Sequence, residues 1–407
     1  MENENNLMLD LFQAYYDARK NKRNTINQLQ FEINYESNLF ALHDQIVNRN
    51  YEIAPSICFM VDKPVKREIF AADFRDRVIH HLIYNYLSPF FEEVFIADSY
   101  SCRKEKGTHY GIRRLQHFIK ECSHDYTRDC YIMKLDIQGY FMNINRGIMS
   151  SILEKFILQL DGNKINFDRD MVLYLVACVL DDNPIHRCKI RGSKKDWVGL
   201  PASKSLFSTP EDCGLPIGNL TSQLFSNVYL HELDIYVKKV LGVEYYGRYV
   251  DDFVMIHPDP EYLKNVKKIL DDFLWENLKL KIHPNKIYLQ HFSKGVKFLG
   301  AVVKPHRVYI TNRTKANFIQ CINKWDKFLQ NEVPAKKDLE NMQTAINSYL
   351  GLMCHYRTYN IRKKVMLNEK RPLQIYKYGY LQIKPYGKMK YCLFPQKKKL
   401  KKIELAD

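Results

Sequence analysis

Glu244-Tyr-Tyr-Gly-Arg-Tyr-Val-Asp-Asp-Phe-Val-Met-Ile-His257 sets two adjacent carboxylates, Asp251 and Asp252, between apolar and aromatic runs. The pattern suits a β-hairpin with acids at its tip. Two apolar strands would hold those carboxylates stiffly enough for metal chemistry. Asp is also a common turn residue, and a Tyr-any-Asp-Asp match arises by chance in a chain of this length at roughly a few per cent. The hairpin therefore decides the fold only together with partners elsewhere in the chain.

The first partner is Tyr131-Ile-Met-Lys-Leu-Asp136-Ile-Gln-Gly-Tyr-Phe141, a short apolar strand ending in a carboxylate. Such an acid is costly to bury unless it is paired or bound to metal. With the strands side by side, Asp136, Asp251 and Asp252 would meet at one sheet edge. Clustered carboxylates raise one another's pKa values unless a cation bridges them. An oxygen-only donor set selects Mg²⁺ or Mn²⁺. Two such ions about 3.5–4 Å apart can activate an attacking oxygen and stabilise a leaving phosphate oxygen.

The 407-residue chain is long enough for two or three structural units, and its 46% hydrophobic content is that of a globular protein. Its charge is less ordinary: 62 Lys+Arg against 46 Asp+Glu leave +16. That excess favours a polyanionic partner, most simply nucleic acid, over a merely soluble basic protein. The ten cysteines form no Cys-x-x-Cys pair or zinc-finger spacing, as expected for incidental thiols in a reducing compartment. The polar, acidic N-terminus is unlike a secretory signal, and no apolar run is long enough to span a bilayer. No membrane association and a cytoplasmic location are the expectations.

Residues 7–50 carry helical periodicity and 51–61 read as a strand. The following segment to Phe70 alternates basic with apolar residues, placing Lys63, Lys66 and Arg67 either against phosphates or on a solvated edge strand. Residues 73–96 predict an amphipathic helix capped by Asp73, carrying Arg75 and Arg77 and interrupted at Pro89. Ser99 to Arg114, with Arg103 and Lys106, is a basic Gly-containing loop leading into a helix, suited to backbone phosphate. Helices are expected at 147–160 and 168–182, and a long irregular segment at 183–213. Gly214-Leu-Pro-Ile-Gly-Asn-Leu-Thr-Ser-Gln223 opens a helix whose polar stripe includes Asn219, Ser222, Gln223, Ser226 and Asn227. A solvated face is favoured there over a base-reading one. A helix at 261–279, short strands or turns to Gly300, helices over 314–366 and a flexible basic tail complete the pattern.

These blocks, in this order, resemble a reverse transcriptase over most of residues 50–300. Lys63 to Arg77 and Ser99 to Arg114 resemble the fingers blocks, and Tyr131 to Phe141 the first catalytic block of the palm. Gly214 to Leu230 resembles the helix beneath template and incoming nucleotide, and Tyr249 to Asp252 the paired-Asp hairpin. His283-Pro-Asn-Lys286 and Phe298-Leu-Gly300 match the next two blocks. The resemblance implies an α+β right-hand polymerase with fingers, an antiparallel-sheet palm and a helical thumb. On that pattern 1–50 is an N-terminal helical extension, 51–130 and 147–212 fingers, 131–146 and 213–305 palm, 308–370 thumb, and 371–407 the basic tail.

The resemblance is closer to the enzymes of diversity-generating retroelements. Their helix block usually reads Gly-Leu-Pro-Ile-Gly-Asn-Leu-Thr-Ser-Gln, as here from Gly214 to Gln223, and Ile217 stands where intron and retroviral enzymes carry Gln. The likeness implies mutagenic retrohoming, with copying error-prone at template adenines. It makes Asp136, Asp251 and Asp252 catalytic, and makes them metal ligands together with the Ile137 carbonyl, binding two Mg²⁺ (or Mn²⁺) ions. Phe141 would be the sugar gate that favours deoxynucleotides, Lys63 and Arg67 triphosphate contacts, and Gly218 the point of close approach to the nascent pair. Ile217, Gln223 and Lys286 complete the dNTP site, with Lys286 a general acid toward pyrophosphate. Arg75, Arg77, Arg103, Lys106 and Asn219 would contact template and primer. Implied partners are a structured template RNA, the nascent cDNA and a small basic accessory protein of the same element. The competing readings are a group II intron-like or antiphage-defence reverse transcriptase, and an inactive nucleic-acid-binding protein.

Overall fold

Helical periodicity over the first fifty residues becomes α1 (Glu2–Arg19), α2 (Ile26–Ile33) and α3 (Tyr35–Val47), which bury Leu11, Leu39, Leu42 and Ile46. The computed structural model describes residues 2–20, 25–62, 65–367 and 372–395. The chain divides into two compact units, at Phe292 and Ser293.

In the first unit, β1 (Ile57–Val61) and β2 (Arg67–Ala71) pair antiparallel. α4 (Phe74–Val94) follows, and the Asp73 side chain accepts from the Arg75 N–H as an N-cap. Pro89 does not end this helix. Proline removes one backbone donor, but Phe91 beyond it is buried and stacks on Phe156 with ring centroids 4.0 Å apart, so packing carries the helix on to Val94. Then come α5 (Thr108–Cys122), β3 (Tyr131–Asp136), the short α6 (Tyr140–Asn143), α7 (Arg146–Gln159) and α8 (Arg169–Asp181). The 183–213 segment has 3₁₀ turns and a two-residue strand, β4 (Lys189–Ile190), parallel to β1. α9 (Leu220–Ile235), β5 (Tyr245–Tyr249), β6 (Asp252–His257), α10 (Pro260–Leu278) and β7 (Tyr288–His291) complete the unit.

The sheet that matters has the order β5-β6-β3-β7 and is antiparallel throughout. β3 and β6 lie at its centre, which explains their near-continuous apolar runs: Ile132, Met133, Leu135, Phe253, Val254, Met255 and Ile256 are all buried. α9 and α4 pack on one another and share the main core with this sheet.

The second unit has its own core around Phe318, Met342, Ile346 and Leu350. β8 (Val296–Phe298), β9 (Ala301–Lys304) and β10 (Arg307–Ile310) form a small antiparallel sheet, followed by α11 (Asn312–Asn331), α12 (Lys336–Met353) and α13 (Tyr359–Met366). Residues 372–395, expected as part of a basic C-terminal tail, are folded: β11 (Gly379–Ile383) and β12 (Met389–Leu393) make a hairpin. The tail residues 396–407 lie outside the described residues. Mixed helix and antiparallel sheet give the expected α+β class.

Candidate active site

The hairpin of β5 and β6 turns in two residues: Tyr249 pairs with Asp252, leaving Val250 and Asp251 at the tip. Val250 has φ +55°, the sign that the first turn residue needs for the hand of a tight hairpin and that Gly usually supplies. A β-branched residue there is strained by about 1–3 kcal/mol, so the surroundings must hold it. The Val250 carbonyl accepts from Arg248 Nη1 at 3.0 Å, and the Asp251 carbonyl accepts from the Ile137 N–H at 3.2 Å. Both carbonyls at the tip are therefore tied down, one of them to the residue following Asp136.

Asp136 and Asp252 are register partners on β3 and β6, which sets their Cα atoms about 5 Å apart. Asp251 stands beside them at the same sheet edge. Burial first, then the Asp136 charge, pushes the Asp251 carboxyl up to about 6. Burial likewise raises Asp252, against the pull of Lys134. Alternation puts Lys134 on the Asp136 face of β3, and its Nζ reaches Asp252 Oδ1 at 3.0 Å. That carboxylate oxygen is desolvated and lacks an aligned hydrogen bond despite the close ammonium. Lys286 Nζ donates to Asp136 Oδ1 at 2.7 Å.

Among the described residues, no group of three or more His, Cys, Asp or Glu side chains is already arranged around a metal position. The donor chemistry nevertheless fits a hard divalent cation: oxygen ligands only, two of the three acids raised by burial with a smaller push from their acidic neighbours, and one buried oxygen poorly satisfied. The lysines on Asp136 and Asp252 balance that charge in the protein alone.

Several other expected residues gather around β2. Arg67 is exposed on β2, and its charge weakly opposes the burial-driven rise of the Tyr249 phenol, so the hairpin lies within its electrostatic reach. Phe141 and Ile217 pack against one small cluster built on Phe70 and Met142, and the Ile217 carbonyl accepts from the Phe70 N–H at 2.8 Å. Gly218 has φ +132°, and a Cβ there would fall 2.7 Å from the Phe70 carbonyl oxygen. Its immediate neighbour is thus the backbone of β2. The stripe on α9 is not a solvated face: Asn219, Ser222, Ser226 and Asn227 are buried and Gln223 is exposed. Asn219 accepts from the Ala72 N–H at 3.3 Å.

The remaining cations have partners within the protein. Arg75 donates to the Glu52 carbonyl, and Arg77 to the Ala72 carbonyl at 3.0 Å. Arg103 is bound to Glu92 at 2.8 Å and to the Ile96 carbonyl, and Lys106 to the Ala97 carbonyl. Lys63 lies outside the described residues.

Three supports escaped the reading of the sequence. Arg248 is fully buried and makes a bidentate pair with buried Asp234 at the end of α9, Nε to Oδ1 at 2.7 Å and Nη2 to Oδ2 at 2.6 Å. The Tyr246 hydroxyl donates to the same carboxylate at 2.7 Å. An arginine inside an otherwise apolar strand was the available signal, since a buried guanidinium needs a carboxylate. Glu68 on β2 is buried and accepts from Trp197 Nε1, Ser205 Oγ and the Leu206 N–H at 2.6, 2.9 and 2.7 Å, pinning the 183–213 segment. His80 Nδ1 lies 2.8 Å from Thr221 Oγ1, joining α4 to α9.

Residues 63–303 match the family described as "Reverse transcriptase (RNA-dependent DNA polymerase)". Protein YkfC of Escherichia coli K12 is 21% identical over 312 residues, 68% of this chain and 73% of its own length. Nuclear intron maturase 1, mitochondrial, of Arabidopsis thaliana is 21% identical over 304 residues, 59% of this chain and 42% of its own. A telomerase structure from Candida albicans aligns with TM-score 0.45 and 12% identity, covering 79% of this chain and 58% of that one. The chain thus spans less than two thirds of the maturase and of the telomerase chain. Among the described residues, no helix is long and apolar enough to cross a membrane.

Proposed function

With this chain a member of the reverse transcriptase family, and its α+β fold the right-hand polymerase fold, we propose that it copies an RNA template into DNA by nucleotidyl transfer from dNTPs. The observation that carries this reading is the convergence of Asp136, Asp251 and Asp252 at one sheet edge, on a turn held from both sides. Asp136, Asp251, Asp252 and the Ile137 carbonyl would hold Mg²⁺, which when bound lowers the pKa of the attacking hydroxyl and neutralises charge on the leaving pyrophosphate. Arg67 binds triphosphate oxygens, and Phe141 blocks a ribose 2′-OH. Lys286, close to the acids, gives its proton to the departing pyrophosphate. The test is primer extension on RNA with Mg²⁺, comparing the wild type with Asp251→Ala. Synthesis is expected to vanish in the variant while RNA binding persists. RNA binding by the wild type without Mg²⁺-dependent incorporation would favour an inactive nucleic-acid-binding protein.

The finer reading is the polymerase of a diversity-generating retroelement, working with a structured template RNA and a small basic accessory protein. It is supported by the Gly214–Gln223 block with Ile217 at its fourth position. An aliphatic side chain where a polar one would help position the base pair lowers discrimination by about 1–3 kcal/mol. Ile217→Gln should raise fidelity at template adenines, read by sequencing cDNA from both enzymes on one RNA; equal adenine error rates would remove that reading. The likeness to an intron maturase supports an intron-type enzyme as the alternative. A template repeat and a variable repeat flanking the gene would decide between them.

A further inference from the structure

The hairpin β11–β12 is fastened by one face and bare on the other. On the inner face, Tyr391 is buried: its N–H donates to Asn347 Oδ1 at 2.8 Å, and Asn347 Nδ2 returns a bond to its carbonyl at 2.8 Å. The Tyr391 hydroxyl donates to the Ile375 carbonyl at 2.5 Å. Met389 is buried on the same side. Gly379 must be glycine, because a Cβ would lie 2.2 Å from the Cys392 carbonyl oxygen. The outward face is therefore set by alternation: Tyr380 opposite Cys392 and Gln382 opposite Lys390. Lys384 and Lys388 continue it, closed by a backbone bond of 2.8 Å, and Phe394 extends it at the other end through a bond to the Tyr378 carbonyl.

That face has a composition a solvated hairpin does not require. Tyr380 and Phe394 are 46% and 48% exposed, with ring centroids 5.9 Å apart. Tyr386 at the tip stands wholly in solvent at φ +59°. Lys384, Lys388 and Lys390 are exposed between the tip and the ring pair. From Lys370 to Ile403 the sequence has no Asp or Glu, so nothing along it competes for those ammonium groups. Bare aromatic rings next to lysines match a ligand with alternating π-faces and phosphates. An acidic peptide would use the lysines and leave three rings in water.

We propose that the outward face of this hairpin binds single-stranded RNA, bases stacking on Tyr380, Phe394 and Tyr386 and phosphates pairing with Lys384, Lys388 and Lys390. The choice of RNA rests on the polymerase reading above. In RNA-templated synthesis the growing DNA is paired as it forms, and the strand left unpaired is the template RNA.

The test uses the full chain, fluorescein-labelled oligo(U), and fluorescence polarisation across a salt series. Removing the rings together (Y380A/F394A/Y386A) should weaken binding at least about tenfold, since stacking contributes roughly 1–3 kcal/mol per base. Removing the charges (K384Q/K388Q/K390Q) should reduce the slope of log K against log salt by about 2, at some 0.7 per neutralised phosphate. RNA containing 4-thiouridine should photo-crosslink to peptides within 372–395. Unchanged affinity and slope in both variants, or the absence of such crosslinks, would overturn the proposal. So would a loss confined to DNA of the same sequence, or self-association that depends on the three rings while RNA affinity stays constant. Primer extension by the wild type is scored separately: its absence counts against the polymerase reading, and a missing hairpin effect on RNA binding counts against this one.

Discussion

Replacing Arg248 with Met would remove six contacts at once from beneath the Val250–Asp251 turn: two to Asp234, two long ones to Asn227 at 3.5 Å, one to the Val250 carbonyl at 3.0 Å and one to Ser99 Oγ at 3.3 Å. The Asp234 carboxylate would stay buried with Tyr246 as its remaining strong donor. Breaking one side of a buried ion pair costs about 3–5 kcal/mol, a large share of the roughly 5–15 kcal/mol that holds a domain together. Arg248→Met alone is therefore expected to lower the urea midpoint sharply, and lost activity would follow from instability. The informative variant is Arg248→Met with Asp234→Leu, which removes both charges and should recover most of the midpoint. It still lacks the bond to Val250, whose φ of +55° is strained by about 1–3 kcal/mol. DNA synthesis should then fall about tenfold or more at unchanged primer-template KM, because the turn relaxes and carries Asp251 with it. Adding Val250→Gly removes the strain and should restore much of the rate. If the double variant folds and synthesises DNA at the wild-type rate, the buried pair does not position the turn.

Glu68→Gln turns an amide N–H₂ toward the Leu206 N–H or the Trp197 indole, losing at least one of three accepted bonds. The expected outcome is faster proteolysis within 191–210 with little change in the urea midpoint, and an unchanged cleavage pattern would refute it. Gly218→Ala drives a Cβ to 2.7 Å from the Phe70 carbonyl oxygen at φ +132°. It should lower the melting temperature and raise KM for dNTPs through the displaced Phe70–Ile217 bond; a wild-type melt would show the contact to be loose. Burial, then His81 and Arg77, push His80 down to about 3 from 6.5. The unfolded chain thus takes up a proton that the folded chain refuses as pH falls below 6.5, removing about 1.4 kcal/mol per pH unit. Asp76, lifted to about 6 mainly by burial, acts oppositely between pH 6 and 3.8. Asp251, also lifted to about 6, adds to the Asp76 contribution, so on the balance of these three groups the wild type should gain modestly as pH falls through that window and His80→Asn should gain more steeply. Parallel urea-midpoint curves for the two proteins would refute the assignment.

What the chain reveals on reading divides by the range of the interaction. Strand alternation is local, so the hairpin at Tyr249–Asp252, the strand ending at Asp136 and the helix after Gly214 could be read from residues that are near neighbours. The N-cap at Asp73 was legible for the same reason, because it bonds two residues on. Pro89 misled because a local rule was overruled by a distant contact, Phe91 on Phe156. The stripe on α9 misled in the same way. Asn219 and Asn227 look solvated in isolation, yet their partners, the Ala72 N–H and the Ser101 carbonyl, lie 147 and 126 residues away. Lys286 and Asp136, 150 residues apart, meet because β7 and β6 both pair with β3.

The tail shows the converse. Residues 371–407 read only as a basic tail because composition alone does not reveal a buried partner for Tyr391. Asn347, 44 residues upstream, supplies it. Once that inner face is fastened, period-two alternation dictates the outer one, and charge that seemed diffuse along the sequence becomes a surface with aromatic rings at one end and lysines at the other. A residue type thus acquires chemical meaning only when the opposite face of its element has been accounted for. The rule that makes Arg248 a buried clamp makes Tyr380 and Lys390 an open platform.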